Sequence, residues 1–279
     1  MSVKLSASKS ISKIAVHLIL AVMMIIFLYP VIWLLQFSLK SLVEAFKVPI
    51  DWIFIPNFVH YRNLLFDGVF LGRLLNSLVA SSGATVLAIM VGAPAAYALS
   101  RMRARGKSLI LLTVLTSRMA PPIAFIVPYF LIYIQLGLTD RLIGLILVYT
   151  GFSLGLVVWS LWAFFDAVPK ELDQQAQIDG ASTMQILLKI ILPVAVAGLA
   201  STGVLCFVLA WNDFIFALIL TRTRAVTAPV EITKAMAYQA EDLGIVAAGA
   251  IIVATPAIIF SIIVRKYLRS GMLGGALKG

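Results

Sequence analysis

The sequence predicts an all-α integral membrane protein with six transmembrane helices and a helical loop on the cytoplasmic side between the fourth and fifth. Three observations carry that prediction. Hydrophobic residues make up 62% of the 279 positions, charged residues only 12%, and the mean hydropathy is +1.04. Soluble domains sit nearer half apolar and about a quarter charged, so lipid must solvate much of this surface. Apolar stretches at about 14–38, 74–99, 109–133, 143–165, 194–220 and 245–267 each reach the roughly 20 residues that a helix needs to cross the hydrocarbon. Lys and Arg concentrate on alternate connections, which is the pattern that sets orientation. Residues 1–279 therefore read as a single transmembrane domain.

The first span follows Lys4, Lys9 and Lys13, as the basic region of a signal peptide would. Its apolar run is too long for that, and no small-residue cleavage site follows "LYPVIWLLQFS", so it reads as a retained helix. Residues 39–73 carry Pro49, Trp52, Phe54, Pro56 and Phe58, a mixture suited to interfacial packing or short helices. A basic turn with Arg101, Arg103, Arg105 and Lys107 separates the second span from the third. The third holds Arg118, and Pro121-Pro122 just beyond it disturbs the helix and frees backbone carbonyls. An arginine at that depth serves a polar cavity or the bundle interior, forms a structural ion pair, or snorkels toward the interface. Gly151-x3-Gly155 in the fourth span permits close helix contact. The side of the membrane that holds the termini also receives Lys170, Lys189, Arg265, Lys266, Arg269 and Lys278, so both termini are expected in the cytoplasm of a multi-pass inner membrane protein.

That distribution accounts for the net charge of +10, and a nucleic-acid partner is not needed to explain it. Cys206 is the lone cysteine, so no disulfide forms within the chain; His17 and His60 are far apart, and no HExxH or paired-Cys spacing points to a metal. "GKS" at 106–108 would end a phosphate loop, but position 101, where that loop needs glycine, is Arg101. No cofactor is expected in this chain, and no convergent His, Cys or carboxylate cluster supports an enzyme. The two halves lack matching punctuation, which argues against a repeat-built secondary transporter.

The loop at 168–193 interrupts this pattern. Its core reads "ELDQQAQIDGASTMQILLKIILP" from Glu171 to Pro193. Pro169 can begin a helix, and Glu171 and Asp173 fall in its first turn, favourable to the helix dipole. Leu172, Ala176 and Ile178 supply an apolar stripe, and Asp179-Gly180 signals a turn. Ser182 and Gln185 fit a capping box that starts a second helix, with Met184, Leu187, Leu188 and Ile191 at helical spacing. From pattern alone the segment either joins two spans along the interface or docks a cytoplasmic partner.

Here the residues carry a resemblance. The permeases of ATP-binding-cassette importers bear a cytoplasmic loop written EAA-x3-G-x9-I-x-L-P. Gln174-Gln175-Ala176 take the first three places, followed by Gly180, Ile190, Leu192 and Pro193 at the required spacing. "IDGAS", "WNDFIFALIL" and the tail "GMLGGALKG" resemble the carbohydrate-uptake branch, of maltose-transporter type, and within it the smaller permease subunit. The chain departs from the pattern at Gln174 and Gln175, where the family usually has Glu and Ala.

The resemblance implies an importer of a sugar or related polyol that works by alternating access. Its implied partners are a second permease, two copies of a cytoplasmic ATPase that binds ATP and Mg, an extracytoplasmic solute-binding protein, and membrane lipid. The coupling loop would comprise Glu171, Asp173, Gln174, Gln175, Ala176, Asp179, Gly180, Ala181, Ile190, Leu192 and Pro193. Arg118, Trp211, Asn212 and Asp213 are the candidates for the substrate path, with helix packing as the alternative for the last three. Arg222, Arg224, Glu231 and Glu241 are candidates for contact with the binding protein, and the tail at 271–279 is a candidate contact with the ATPase. A self-sufficient secondary transporter or channel, or an importer of a non-sugar solute, is the competing expectation.

Overall fold

A computed structural model describes residues 2–49, 51–102, 106–117, 119, 121–238 and 243–276, with backbone alone at 2–14 and 264–276 and at Asp67, Ala237 and Tyr238. Among the described residues the secondary structure is helical, with no strand. The longer helices are α1 (Ser2–Leu39), α2 (Phe70–Arg101), α3 (Lys107–Thr116), α4 (Ile126–Gln135), α5 (Leu142–Asp166) and α6 (Glu171–Ile178). They continue as α7 (Thr183–Val194), α8 (Val196–Trp211), α9 (Ile215–Leu220), α10 (Ala228–Tyr238) and α11 (Leu243–Ala276). Four of them, α1, α2, α5 and α11, are long and apolar enough to cross a membrane, and α7 with α8 pass the same test as a pair bent by 85°.

The expected spans 14–38, 74–99, 143–165 and 245–267 lie within α1, α2, α5 and α11. Two spans are broken. Stretch 109–133 is divided between α3 and α4, with a 3-10 turn at Pro122–Phe125 where the two prolines stand. Stretch 194–220 is divided between α8 and α9 at Asn212–Phe214. Proline removes a helical donor at the first break; no proline stands at the second.

The chain forms two compact units. One comprises Met1–Gly68 and Ile232–Ile252. The described side chains of α1 are largely exposed there, as a lipid-facing helix requires. Short helices at Leu42–Ala45 and Val59–Arg62 follow it. Lys40 is buried, its Nζ donating to the Asp51 carbonyl at 2.7 Å, and the His60 Nε2 donates to the Lys40 carbonyl at 3.1 Å.

The other unit, Val69–Glu231 with Val253–Gly279, holds the core. Helices α2 and α5 run parallel, because the residues at each end of α2 meet the same structures as those at the matching end of α5. Ala80, Ala84, Ala88, Gly92 and Ala96 recur every fourth residue along α2 and let the backbones approach closely. A Cβ on Gly92 would lie 2.6 Å from Val157 of α5. The expected contact at Gly151 is not the close one. That residue is exposed, and nothing comes nearer to its Cβ position than the Tyr129 hydroxyl at 3.9 Å.

Two apolar clusters stack along this pair. One, at the α5 C-terminal end, joins Tyr97, Val157, Leu161 and Phe165 to Ala176, Ile186, Leu187 and Ile191. The other, toward the α5 N-terminus, joins Ala80, Ala84, Leu145 and Val148 to Phe216, Leu220, Val226 and Val230.

Candidate functional site

The loop after α5 is built by local signals. Helix α6 ends on a Schellman motif: Gly180, at φ +81°, donates its N–H to the Gln177 carbonyl, and Ala181 donates to Ala176. Glycine alone takes that conformation without strain. Two residues later the Ser182 hydroxyl caps the Gln185 N–H while the Gln185 side chain accepts from the Ser182 N–H at 2.8 Å. Helix α7 then passes through a π turn at Leu187–Ile191 and bends by 85° into α8 just after Pro193.

The loop belongs to the core on one side. Ala176, Ile186, Leu187 and Ile191 are buried, and Leu172, Ala181, Ile190 and Leu192 pack beside them. Its other side is open. Glu171, Gln174, Gln175, Gln177, Asp179 and Pro193 are exposed, and Ile178 is 86% exposed. The two apolar stripes are not buried as sets: Ile178, Met184 and Leu188 are exposed, while Ala176, Ile186, Leu187 and Ile191 are buried.

Asp173, expected as a second helix-end charge beside Glu171, is buried. Its Oδ2 accepts from Arg101 Nη2 at 2.6 Å and its Oδ1 accepts from the Tyr97 hydroxyl. Arg101 Nη1 also donates to the Phe165 carbonyl at 3.0 Å. One guanidinium thus joins the end of α2, the end of α5 and the start of α6. Neither Arg101 nor Tyr97 was among the sequence candidates. Arg101 read there as one cation of a basic turn, and only contact across 72 residues gives it a role. A cavity of about 500 Å³ opens beside this joint, lined by Tyr97, Arg101, Lys170, Gln174 and Met184 among others.

Within the bundle, a cavity of about 170 Å³ is lined by Pro122, Tyr149, Phe152, Ser153, Asp213 and Phe216 among others. Both broken spans contribute to it. Asp213 accepts from the Ala217 N–H at 3.2 Å, at the start of α9, and the buried Tyr149 phenol lies against its carboxylate. Irregular backbone at membrane depth is tolerated where it lines such a cavity.

The neighbouring candidates divide. Trp211 is 2% exposed, stacks on Phe207 at 5.6 Å and donates its indole N–H to the Val253 carbonyl. Those contacts describe packing. Asn212 is exposed and donates to Val208 on its own helix. Arg118 lies outside the described residues.

At the N-terminal end of α5 a second carboxylate does the fastening. Asp140, at φ +54°, accepts from the consecutive N–H groups of Arg222, Thr223, Arg224 and Ala225 and from the Thr223 hydroxyl. Burial pushes its carboxyl up. The amides of Arg222, Arg224 and Ala225 with the Thr223 hydroxyl outweigh that and hold it well below the usual range. Asn76 Nδ2 donates to the Arg224 and Val226 carbonyls, and Ala228 N donates to the Ser77 hydroxyl. Arg222 and Arg224 are exposed, whereas Glu231 pairs with Arg73 at 3.4 Å. Glu241 lies outside the described residues. Asp140 is another residue that the sequence left unmarked, although aspartate is one of the few non-glycine residues that tolerates positive φ. Among the described residues no group of His, Cys, Asp and Glu is arranged to hold a metal.

Residues 84–270 match the family described as binding-protein-dependent transport system inner membrane component. The chain is 39% identical over 261 residues to the trehalose transport system permease protein SugB of Mycobacterium tuberculosis, covering 90% of this chain and 93% of that one. It is 35% identical over 268 residues to the trehalose/maltose transport system permease protein MalG of Thermococcus litoralis, covering 92% and 94%. The crystal structure of a bacterial ABC transporter involved in importing the acidic polysaccharide alginate has a chain that superposes with a TM-score of 0.76 at 24% identity, covering 93% of this chain and 97% of that one. That likeness is one of fold.

Proposed function

The chain belongs to the family of binding-protein-dependent transport system inner membrane components, and from that premise we propose that it is the permease subunit of an importer for a sugar of the trehalose or maltose kind. The family is membrane-embedded, and ATP would be bound and hydrolysed, with Mg, by a separate cytoplasmic ATPase present in two copies. A second permease completes the pathway, and an extracytoplasmic solute-binding protein delivers the sugar. The termini and the loop at 168–193 face the cytoplasm, as the Lys and Arg distribution favours, and the Asp140 end faces outward.

The observation that carries this reading is the two-sided build of Glu171–Pro193. This loop buries one set of apolar residues against the bundle and exposes Ile178, Met184 and Leu188 around a glycine bend, next to the polar, uncharged Gln174 and Gln175 and the charged Glu171 and Asp179. Exposed apolar residues on a polar, core-anchored segment suit a protein partner. The two glutamines leave hydrogen bonding and apolar contact to hold the ATPase where the family would have a carboxylate.

The cavity at Asp213 is the candidate point of contact with solute. A carboxylate, a phenol and Ser153 beside Phe152 and Phe216 supply hydrogen-bonding groups and aromatic faces for a hydroxyl-rich ligand.

The deciding experiment is gentle copurification of the tagged chain from its native membranes, with the co-purifying proteins identified. A cassette ATPase, a second permease and a binding protein are the expected companions. Repeated isolation of the chain alone, with those proteins expressed and the detergent shown to preserve such complexes, would overturn the reading.

A further inference from the structure

We propose that residues 46–58 form an interfacial anchor that turns back into the bilayer beside α1 and lays Val48, Trp52, Ile53 and Ile55 among the lipids of the leaflet at the Leu39 end. The proposal requires that α1 crosses the membrane. It does not depend on what the protein carries or on which subunits join it.

Aromatic contacts set the depth. Phe46 meets Phe37 with ring centroids 5.9 Å apart, and Trp52 meets Trp33 at 6.4 Å. At 1.5 Å per residue, Trp33 stands about 9 Å inside the Leu39 end of α1. The chain therefore leaves α1, passes through the short helix Leu42–Ala45 and runs back along the side of α1 to the level of Trp33. It returns to the helix end at Asn57, whose N–H donates to the Leu39 carbonyl at 2.7 Å. That excursion matches the depth of about 5–10 Å to which interfacial segments sink their apolar faces.

The segment packs its polar groups inward and turns its apolar ones out, the reverse of a loop built for water. Lys40 is buried; its Nζ donates to the Asp51 carbonyl at 2.7 Å and sits over the Phe54 ring at 4.7 Å. The buried Ser38 shares a hydrogen bond with the Tyr61 hydroxyl at 2.7 Å. On the outside, Val48 is 89%, Ile53 98% and Ile55 86% exposed, and Phe46, Trp52 and Phe58 are exposed with them. Ile50 lies outside the described residues. Exposed apolar side chains gathered in one segment mark a contact with a partner or a membrane.

Continuity with α1 decides for lipid. That helix is exposed along most of its apolar stretch Ala15–Leu39, so the loop extends a lipid-facing surface. Tryptophan is also a residue type that collects at the membrane boundary. Lys47 and Asp51, the two charged residues of the segment, pair with each other at 2.7 Å, so it enters the interface without net charge. Fastened at Leu39, Trp33 and Asp51, the anchor fixes the height of α1 in the bilayer, as interfacial aromatics do.

The test introduces Val48→Cys, Ile53→Cys and Ile55→Cys one at a time and attaches a nitroxide spin label. The assembly that purifies with the chain is placed in vesicles of phosphatidylcholine and phosphatidylglycerol. The chain without an introduced cysteine, whose own Cys206 is buried, supplies the background. Power saturation reads collisions with oxygen, which concentrates among acyl chains, and with a water-soluble nickel chelate. Oxygen collisions are expected to exceed nickel collisions several-fold at all three positions. Trp52→Ala removes the contact with Trp33 and is expected to lose most of that ratio at Ile53. Nickel collisions above oxygen collisions in the chain with Trp52 intact would put the rim in water and overturn the anchor. Immobilised labels that neither collider reaches would put it under another protein chain and overturn it as well. A ratio at Ile53 unmoved by Trp52→Ala would overturn Trp33 as the contact that sets the depth.

Discussion

The two ends of α5 are fastened by one carboxylate each, and the two fastenings are of different kinds. Asp173 is held by side chains, the Arg101 guanidinium and the Tyr97 phenol. Asp140 is held by backbone amides and one hydroxyl. A joint made of side chains depends on the identity of every partner, and losing one leaves a buried charge without its complement. A joint made of amides depends on the carboxylate and the course of the backbone, so the residues that donate can change freely. The first fixes helices to one another; the second fixes the course of a loop.

The largest effect expected from breaking this comparison comes at Arg101. Arg101→Ala leaves Asp173 buried and unpaired, which costs about 3–5 kcal/mol, so the thermal midpoint should fall and stimulated ATP hydrolysis should be lost. Exchanging the charges, Arg101→Asp with Asp173→Arg, should recover part of both. A double variant no better than the singles would show that the ion pair is not the joint. Next in size is Gly180→Val, which places a β-branched residue at φ +81° at a cost of about 1–3 kcal/mol. It should lower transport more than it lowers the amount of assembled complex, and equal losses would count against a role in coupling. Ser182→Ala removes the cap of α7, worth about 1 kcal/mol, and unchanged stability would show that the core contacts of Ile186 and Leu187 suffice.

The smallest expected effect sharpens the other side. The Asp140 carboxyl is depressed in the folded protein, so its stabilisation is complete above the usual carboxylate value of about 3.9 and is lost as pH falls through the folded value. The difference in thermal midpoint between the native chain and Asp140→Asn should be constant from pH 5 to 8 and shrink only below about pH 4. A difference that changed near neutrality would point to some other group.

The same contrast explains what was legible. The helix, glycine turn and capping box of Glu171–Gln185 were written in adjacent residues, because caps and turns are satisfied within a few positions. The break at Pro121-Pro122 was legible for the same reason. The fastenings were not. Arg101 and Asp173 are 72 residues apart, and Asp140 reaches amides 82 to 85 positions away, so no local spacing announces them. Met184 and Leu188 recur with Leu187 and Ile191 at helical spacing, but only the latter two are buried, because periodicity does not tell how much of an apolar face is covered. Trp211 offered an aromatic beside polar groups, and only the position of Val253 shows that its indole is already bonded.

The 85° bend between α7 and α8 makes a bell crank. Helix α7 spans twelve residues, an arm of about 18 Å at 1.5 Å per residue, standing nearly square to the helix it drives. A push at the Gly180 end directed across the bundle is turned by the corner into torque about α8. For an arm of that length, a displacement of about 3 Å swings the arm through roughly 10°. On the function proposed above, a movement of a few ångströms at the loop would be geared into an angular change in α8, without any stretching of the helices between.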